Sequence, residues 1–211
     1  MSVTAWNYQG LGSSLAVQTL IDEVRVKDPL LVLLSETKAR VSRIKGIQNK
    51  LDYTQGIMVP SDNRSGGLTM LWREGTNVHF KSCSNSYIGV EVYGNPSSSP
   101  WHATGFYGQP DSKKRSISWE LLEVLKVQNH LPWIVFGDFN EISHPDEKFG
   151  GPDRDARQMR EFRDCLSRCG LFDLGFVGQR FTWCNERFGE QRSSLKLWCI
   201  ITQCQFRIIA Y

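Results

Sequence analysis

Twice in this 211-residue chain a short, unbroken apolar run stops at polar residues. "LLVLL" (30–34) runs into Ser35-Glu36-Thr37, and "WIVF" (133–136) runs through Gly137 into Asp138-Phe139-Asn140. A strand with one wet face alternates apolar and polar residues, whereas a strand apolar at every position is covered on both faces. Two such strands require a layered architecture with packed material on either side of a sheet. Side-chain alternation past Gly137 sends Asp138 and Asn140 one way and Phe139 back into the core.

The rest of the chain supplies the layers. "VTAWN" (3–7) reads as a first strand. Ser13 or Ser14 can cap a helix whose Val17, Leu20, Ile21 and Val24 follow helical spacing, and Asp28-Pro29 stops it. "GIMV", "GLTMLW", "VHFKSC" and "YIGVEVY" read as a meander of strands, followed by the strand "WHATGFYG". One helix places Ile117, Leu121, Leu122 and Leu125 inward. Another, from Ala156 to Cys169, buries Met159, Phe162, Leu166 and Cys169. "RFTWCN" is a late strand, "RSGGL" (64–68) a tight turn, and "NPSSSP" (95–100) a turn-rich break too short to divide domains. Strands outnumber helices, so the expected class is α/β with mixed sheets in one domain.

The longest apolar run is strand-sized, and no basic region with an apolar core opens the chain, so the expectation is a soluble intracellular protein without a membrane span. A formal charge of +3 permits a polyanionic partner but is far from the signature of a dedicated nucleic-acid binder. Cys83, Cys165, Cys169, Cys184, Cys199 and Cys204 form neither a CxxC pair nor a Cys/His cluster at zinc spacing, and read as buried free thiols. His79, His102, His130 and His144 read as surface or turn residues.

Polar groups gather where strands end. Asn7 closes the first, Glu36 follows the second, Tyr107 ends "ATGFYG", and Asp138 with Asn140 ends "WIVF". Taken singly, each has an ordinary reading: a turn for Asn7, a solvated carboxylate for Glu36, a core-edge phenol for Tyr107, an Asx turn for Asp138 and Asn140. Taken together, at the ends of separate strands, they form a candidate site. Its carboxylates and amides suit a hard, oxygen-preferring cation such as Mg²⁺, with Mn²⁺ as an alternative.

In order along the chain, "WNYQGLG", "LLSETK", "GFYGQP" and "GDFNE" resemble the endonuclease–exonuclease–phosphatase superfamily. "RSGGLTMLW", "PWIVFGDFNEI", "DEKFGG", "MREFRDCLSRCGLFDLGF" and "GQRFTWCN" make the likeness closest to the endonuclease domain of plant LINE-type non-LTR retrotransposons. The resemblance runs from about residue 3 to residue 187. It implies a four-layered α/β sandwich, two mixed sheets face to face with helices outside, and Mg²⁺-dependent hydrolysis of DNA phosphodiesters. It also implies a reverse transcriptase domain as partner in an intact element, and a nuclear place of action. Carried over by position, Glu36 is the principal metal carboxylate and Asn7 the amide supporting the metal. Tyr107 contacts the scissile phosphate, Asp138 orients or deprotonates the attacking water and shares in metal binding, and Asn140 is its partner at the phosphate.

The segment 193–211 departs from the family pattern, so the domain is expected over 1–192 with a divergent tail after it. Where relatives carry Leu-Asp-Arg this chain has Leu197-Trp198-Cys199, and no Ser-Asp-His follows. The expectations are a final strand missing or altered, an unpaired sheet edge, and impaired activity. DNA contact falls to Lys148, Arg154 and Arg157, in a segment where Arg160, Arg163 and Arg168 are diluted by acidic neighbours. Two other readings compete: a phosphatase of the same fold acting on small esters, and a non-catalytic remnant that folds and binds DNA. Glu36 and Asp138 are expected to be partly exposed, so that their replacement would spare stability.

Overall fold

The computed structural model describes residues 2–7, 14–37, 41–61, 67–94, 98–174, 183–184, 194–195 and 198–202. Ser13, residues 64–66 of the glycine turn, 95–97 and most of "GQRFTWCN" lie outside them, as does the end of the tail from 203.

A first sheet joins β1 (Val3–Asn7), β2 (Leu31–Ser35), β4 (Leu68–Trp72) and β3 (Gln55–Val59), in the spatial order β1-β2-β4-β3. β1 and β2 are parallel, and β4 is antiparallel to both β2 and β3. A second sheet has the order β10-β13-β8-β7-β6-β5. Its strands are β5 (Asn77–Ser84), β6 (Tyr87–Tyr93), β7 (Trp101–Tyr107), β8 (Trp133–Asp138), β10 (Phe172–Asp173) and β13 (Trp198–Thr202). Here β7 and β8 form the parallel pair. β9 (Lys148–Phe149), β11 (Trp183–Cys184) and β12 (Ser194–Leu195) make a small third sheet.

Three apolar layers separate four structural ones. Leu33, Leu68 and Met70 of the first sheet meet Ile88, Val90 and Phe136 of the second. On its outer face the first sheet packs against α1 (Ser14–Lys27) and α2 (Val41–Leu51) through Leu20, Val24, Ile47 and Leu51. On its outer face the second sheet packs against α3 (Arg115–Gln128) and α4 (Ala156–Cys169) through Trp119, Leu122, Phe162 and Leu166. This is the expected four-layered α/β sandwich. "LLVLL" and "WIVF" supply β2 and β8, an inner strand of each sheet, with Leu31–Leu34 and Trp133–Phe136 all fully buried.

Four expectations need correction. The supposed meander is cut in two: β3 and β4 belong to the first sheet and β5 and β6 to the second, with the chain crossing between sheets at 73–76. On α3 the inward face is Ser118, Trp119, Leu122 and Leu125, and Ile117 lies outside at 52% exposure. Trp119 claims that face because it stacks on Phe162 of α4, with ring centroids 4.6 Å apart. Cys83 is exposed, while Cys165 and Cys169 are buried free thiols. The edge of β8 is not left open, because β13 pairs with it antiparallel from Trp198↔Asp138 to Thr202↔Ile134. Among the described residues no helix is long and apolar enough to cross a membrane.

Candidate active site

The two parallel pairs bring four strand ends together. In one, Asn7 of β1 stands in register with Ser35 of β2, and in the other Tyr107 of β7 stands in register with Asp138 of β8. Carboxyl ends of parallel strands are where open α/β sheets present loops to ligands. The packing of one sheet on the other then sets Asn7 and Glu36 opposite Tyr107, Asp138 and Asn140.

The hydrogen bonds at these five residues fall into two groups, one centred on Asp138 and one joining Tyr107 to Glu36. Asn7 Nδ2 donates to Asp138 Oδ2 at 2.8 Å, across the two sheets. The backbone N–H of Asn140 donates to Asp138 Oδ1 at 2.8 Å. Asn140 Nδ2 donates to the carbonyl of Gly108 at 2.8 Å, and the Tyr107 hydroxyl donates to Glu36 Oε1. β8 ends at Asp138, so Asn140 is placed by an Asx turn and not by strand alternation. The turn and the site are the same object. Phe139 does turn into the core, fully buried against Phe106 and Phe162 with centroid distances of 5.1 and 5.6 Å.

Backbone geometry at the site is specialised. Glu36 and Asn140 both adopt left-handed conformations, with φ of 51° and 54°. Such conformations cost energy for non-glycine residues and persist where the surroundings enforce them. Gly137 has φ 143°, and a Cβ there would lie 2.1 Å from the Phe106 carbonyl. At Gly108 a Cβ would lie 2.3 Å from the Phe139 carbonyl. These two glycines let the β7 and β8 ends approach closely enough for Gly108 N–H to donate to the Asp138 carbonyl at 2.7 Å.

Asp138 is fully buried and not half-exposed as expected; Glu36 is intermediate. Burial raises the Asp138 carboxyl to about 6, against the opposing pull of the bonds from Asn140 and Asn7. Burial and the Glu36 carboxylate push the Tyr107 phenol far above its ordinary range, so it remains a donor at any working pH.

The donor set fits a small hard cation. Asn7 Oδ1 is buried without a partner, beside the carboxylates of Asp138 and Glu36. All three groups offer oxygen. Mg²⁺ binds through one or two carboxylates and keeps much of its water, so it does not need a larger cage. Among the described residues no group of three His, Cys, Asp or Glu side chains is placed to hold a metal.

Beneath the Asp138–Asn140 turn lies a feature that sequence reading missed. Glu141 is fully buried, and its Oε2 accepts from Arg115 Nη1 at 2.5 Å. Its Oε1 accepts from Ile142 N–H at 2.9 Å, with Arg154 Nε 4.0 Å away. Arg115 Nη1 also donates to Gln158 Oε1 of α4 at 3.0 Å. Charged residues read as solvated by default, and the only signal was a glutamate wedged between Asn140 and Ile142. Glu147, also buried, accepts from Ser143 N–H at 2.6 Å and His144 N–H at 3.3 Å, closing the loop that follows.

The three basic residues expected at DNA differ in their surroundings. Arg157 is exposed on α4 and paired with Glu161 at 2.8 Å. Lys148 Nζ donates to the carbonyls of Gly150 and Pro152, in its own loop. Arg154 alone of the three reaches the Glu141 pair under the site.

The molecule is thus a four-layered α/β sandwich with carboxylates, amides and a phenol converging at its strand ends. A family model described as the Endonuclease/Exonuclease/phosphatase family matches residues 4–194, and the chain belongs to that family. Its members are hydrolases of phosphodiester bonds and generally use divalent metals. No curated protein matches the sequence. Among solved structures, the endonuclease domain of TRAS1, a telomere-specific non-LTR retrotransposon, is similar with a TM-score of 0.69 at 16% identity, over 95% of this chain and 84% of that one. The 3′ phosphatase NExo from Neisseria, bound to a product DNA hairpin, gives 0.69 at 16% identity, over 96% and 86%. An AP endonuclease from Archaeoglobus fulgidus gives 0.70 at 15% identity, over 96% and 87%. At such identities the likeness is one of fold.

Proposed function

We propose that this chain is a Mg²⁺-dependent DNA phosphodiesterase of the retrotransposon endonuclease type, acting in the nucleus, with activity lowered by its altered C-terminal segment. One observation carries the reading: Asn7, Glu36, Tyr107, Asp138 and Asn140 converge from four strand ends, held by hydrogen bonds around Asp138 and between Tyr107 and Glu36.

Glu36, Asp138 and the free oxygen of Asn7 would hold the cation, which when bound supplies positive charge against the phosphate oxygens. The protein groups do the rest. Asn7 and the Asn140 N–H fix both oxygens of Asp138, leaving it a defined direction in which to accept a proton from water. Its raised pKa brings it nearer to neutrality as a base than an exposed aspartate, and such assistance is typically worth ~10²–10⁴-fold. Asn140 Nδ2 keeps a second N–H beside the one it gives to Gly108, a donor for an oxygen that gains charge during cleavage, and the Tyr107 hydroxyl would turn from Glu36 to the phosphate once that carboxylate holds a cation.

The proposed loss of activity comes from Leu197-Trp198-Cys199 in place of Leu-Asp-Arg, with Trp198 paired beside Asp138. The reading is tested by incubating supercoiled plasmid with the protein in Mg²⁺, Mn²⁺ or EDTA, alongside phosphate release from a small phosphomonoester. Metal-dependent nicking with little phosphate release supports it. Efficient ester hydrolysis without nicking assigns the site to a small-ester phosphatase, and neither activity makes the chain a non-catalytic remnant.

A further inference from the structure

Two guanidiniums share one buried carboxylate beneath the active-site turn. Glu141 has no exposed surface, and Arg115, 6% exposed, donates its Nη1 to Oε2 at 2.5 Å while its buried Nε has no partner. Arg154 lies 4.0 Å from the other oxygen with its side chain 23% exposed, and Ile142 N–H already occupies that oxygen at 2.9 Å. One negative charge thus faces two positive ones. Burying a cation without a full partner is costly, so a site that keeps one is poised for an anion. The open guanidinium face of Arg154 is also within electrostatic reach of Asp138.

The neighbouring arginines have partners of their own. Arg157 pairs with Glu161, Arg168 pairs with Glu123, and Arg163 donates to the Ser143 carbonyl. We propose that Arg154 is a phosphate-contacting residue of the site, and that the buried Arg115–Glu141 pair presents it to the DNA strand. The inference rests on the phosphodiesterase reading and adds to it a specific anchor for the backbone. Arg115 opens α3 and Gln158 lies on α4, so the pair is braced by both outer helices. Glu141 acts through Arg154 and is a positioning residue.

A binding measurement tests this without requiring turnover. Anisotropy of a short fluorescein-labelled DNA duplex is titrated with the full chain in EDTA, from about 50 to 200 mM salt. Arg154→Gln should weaken binding about three- to tenfold and reduce the slope of log K against log salt by about 1. Arg154→Lys should keep the slope and recover part of the affinity, and Lys45→Gln, exposed on α2, should change neither. Glu141→Gln should weaken binding in the native chain but add nothing to Arg154→Gln. Additive effects would overturn the presenting role, and wild-type affinity and slope in Arg154→Gln would overturn the contact itself. If Arg154→Gln binds normally while the native chain nicks plasmid, the inference alone fails. If the native chain neither binds nor nicks DNA, the parent reading fails with it.

Discussion

Asp138 carries the conflict between stability and chemistry most directly. It is fully buried, its carboxyl is raised to about 6, and the half-exposed Glu36 adds repulsion. Asp138→Asn should therefore abolish nicking yet leave the metal-free protein at least as stable at pH 7 to 8, roughly the range in which the ionised carboxylate costs most. The new amide keeps one oxygen for the Asn140 N–H, and its NH₂ can meet Asn7 once that side chain turns its unpartnered oxygen inward. A clear fall in melting temperature in EDTA would count against this account. His102 gives the pH test away from the site. It lies in β7, not in a turn, and burial lowers its imidazole to about 4 from 6.5. The neutral form is favoured in the fold, so its contribution is complete above about 6.5 and is lost as pH falls through about 4. The expected acid loss is on the order of 2–3 kcal/mol, and urea titrations across that window should show a flatter profile for His102→Gln.

The two inner strands are what make the site possible as an assembly of elements. Gly137, next to last in β8, has a backbone no L side chain adopts readily, and Gly137→Ala would place a methyl against the Phe106 carbonyl. Backbone cannot yield as a side-chain tip does, so the cost should be on the order of 3 kcal/mol or more, with nicking lost through displacement of Asp138. Equal stability in chemical denaturation would show that β7 can move aside. The strand ends were legible in the sequence because continuous apolar runs announce β2 and β8, with Glu36 and Asp138 at their ends, while Asn7 and Tyr107 close the β-favouring stretches of β1 and β7. Other elements were hidden for physical reasons. In α2, Gly46 and the polar Ser42, Arg43, Lys45, Gln48 and Asn49 leave only Ile44, Ile47 and Leu51 to mark a buried face. The short turn at 73–76 reads locally as a hairpin, although β4 and β5 lie in different sheets. That choice is made by non-local packing. The Arg115–Glu141 pair was invisible because only the assembled fold brings its partners, 26 positions apart, into a dry place.

For the molecule as a whole, the altered C-terminal segment has two separable effects. The resemblance implies Leu-Asp-Arg at the end of an Arg-rich segment and a closing strand with Ser-Asp-His; this chain has Trp198 about where the first aspartate belongs, yet Trp198 to Thr202 pairs residue for residue with Asp138 to Ile134. β13 also carries β10 on its other side, so it is internal to the second sheet. Deleting residues 193–211 would expose the whole length of β8 as an edge, next to the buried Asp138. The truncated protein should melt well below the full chain, with on the order of 3 kcal/mol or more lost, and should aggregate on heating. Trp198→Asp with Cys199→Arg restores the family motif while leaving the strand in place. Loss of one preorganised group in such a site costs on the order of 10²–10³ in turnover, so the double variant should raise plasmid nicking by at least about tenfold. Its strand pairing should survive, as judged by near-native amide protection along β8 in hydrogen exchange. Improved nicking with intact protection would trace the weakness of the site to its chemistry and not to a broken sheet. If the double variant nicks no faster than the native chain, the substitution at Trp198 is not what limits the reaction.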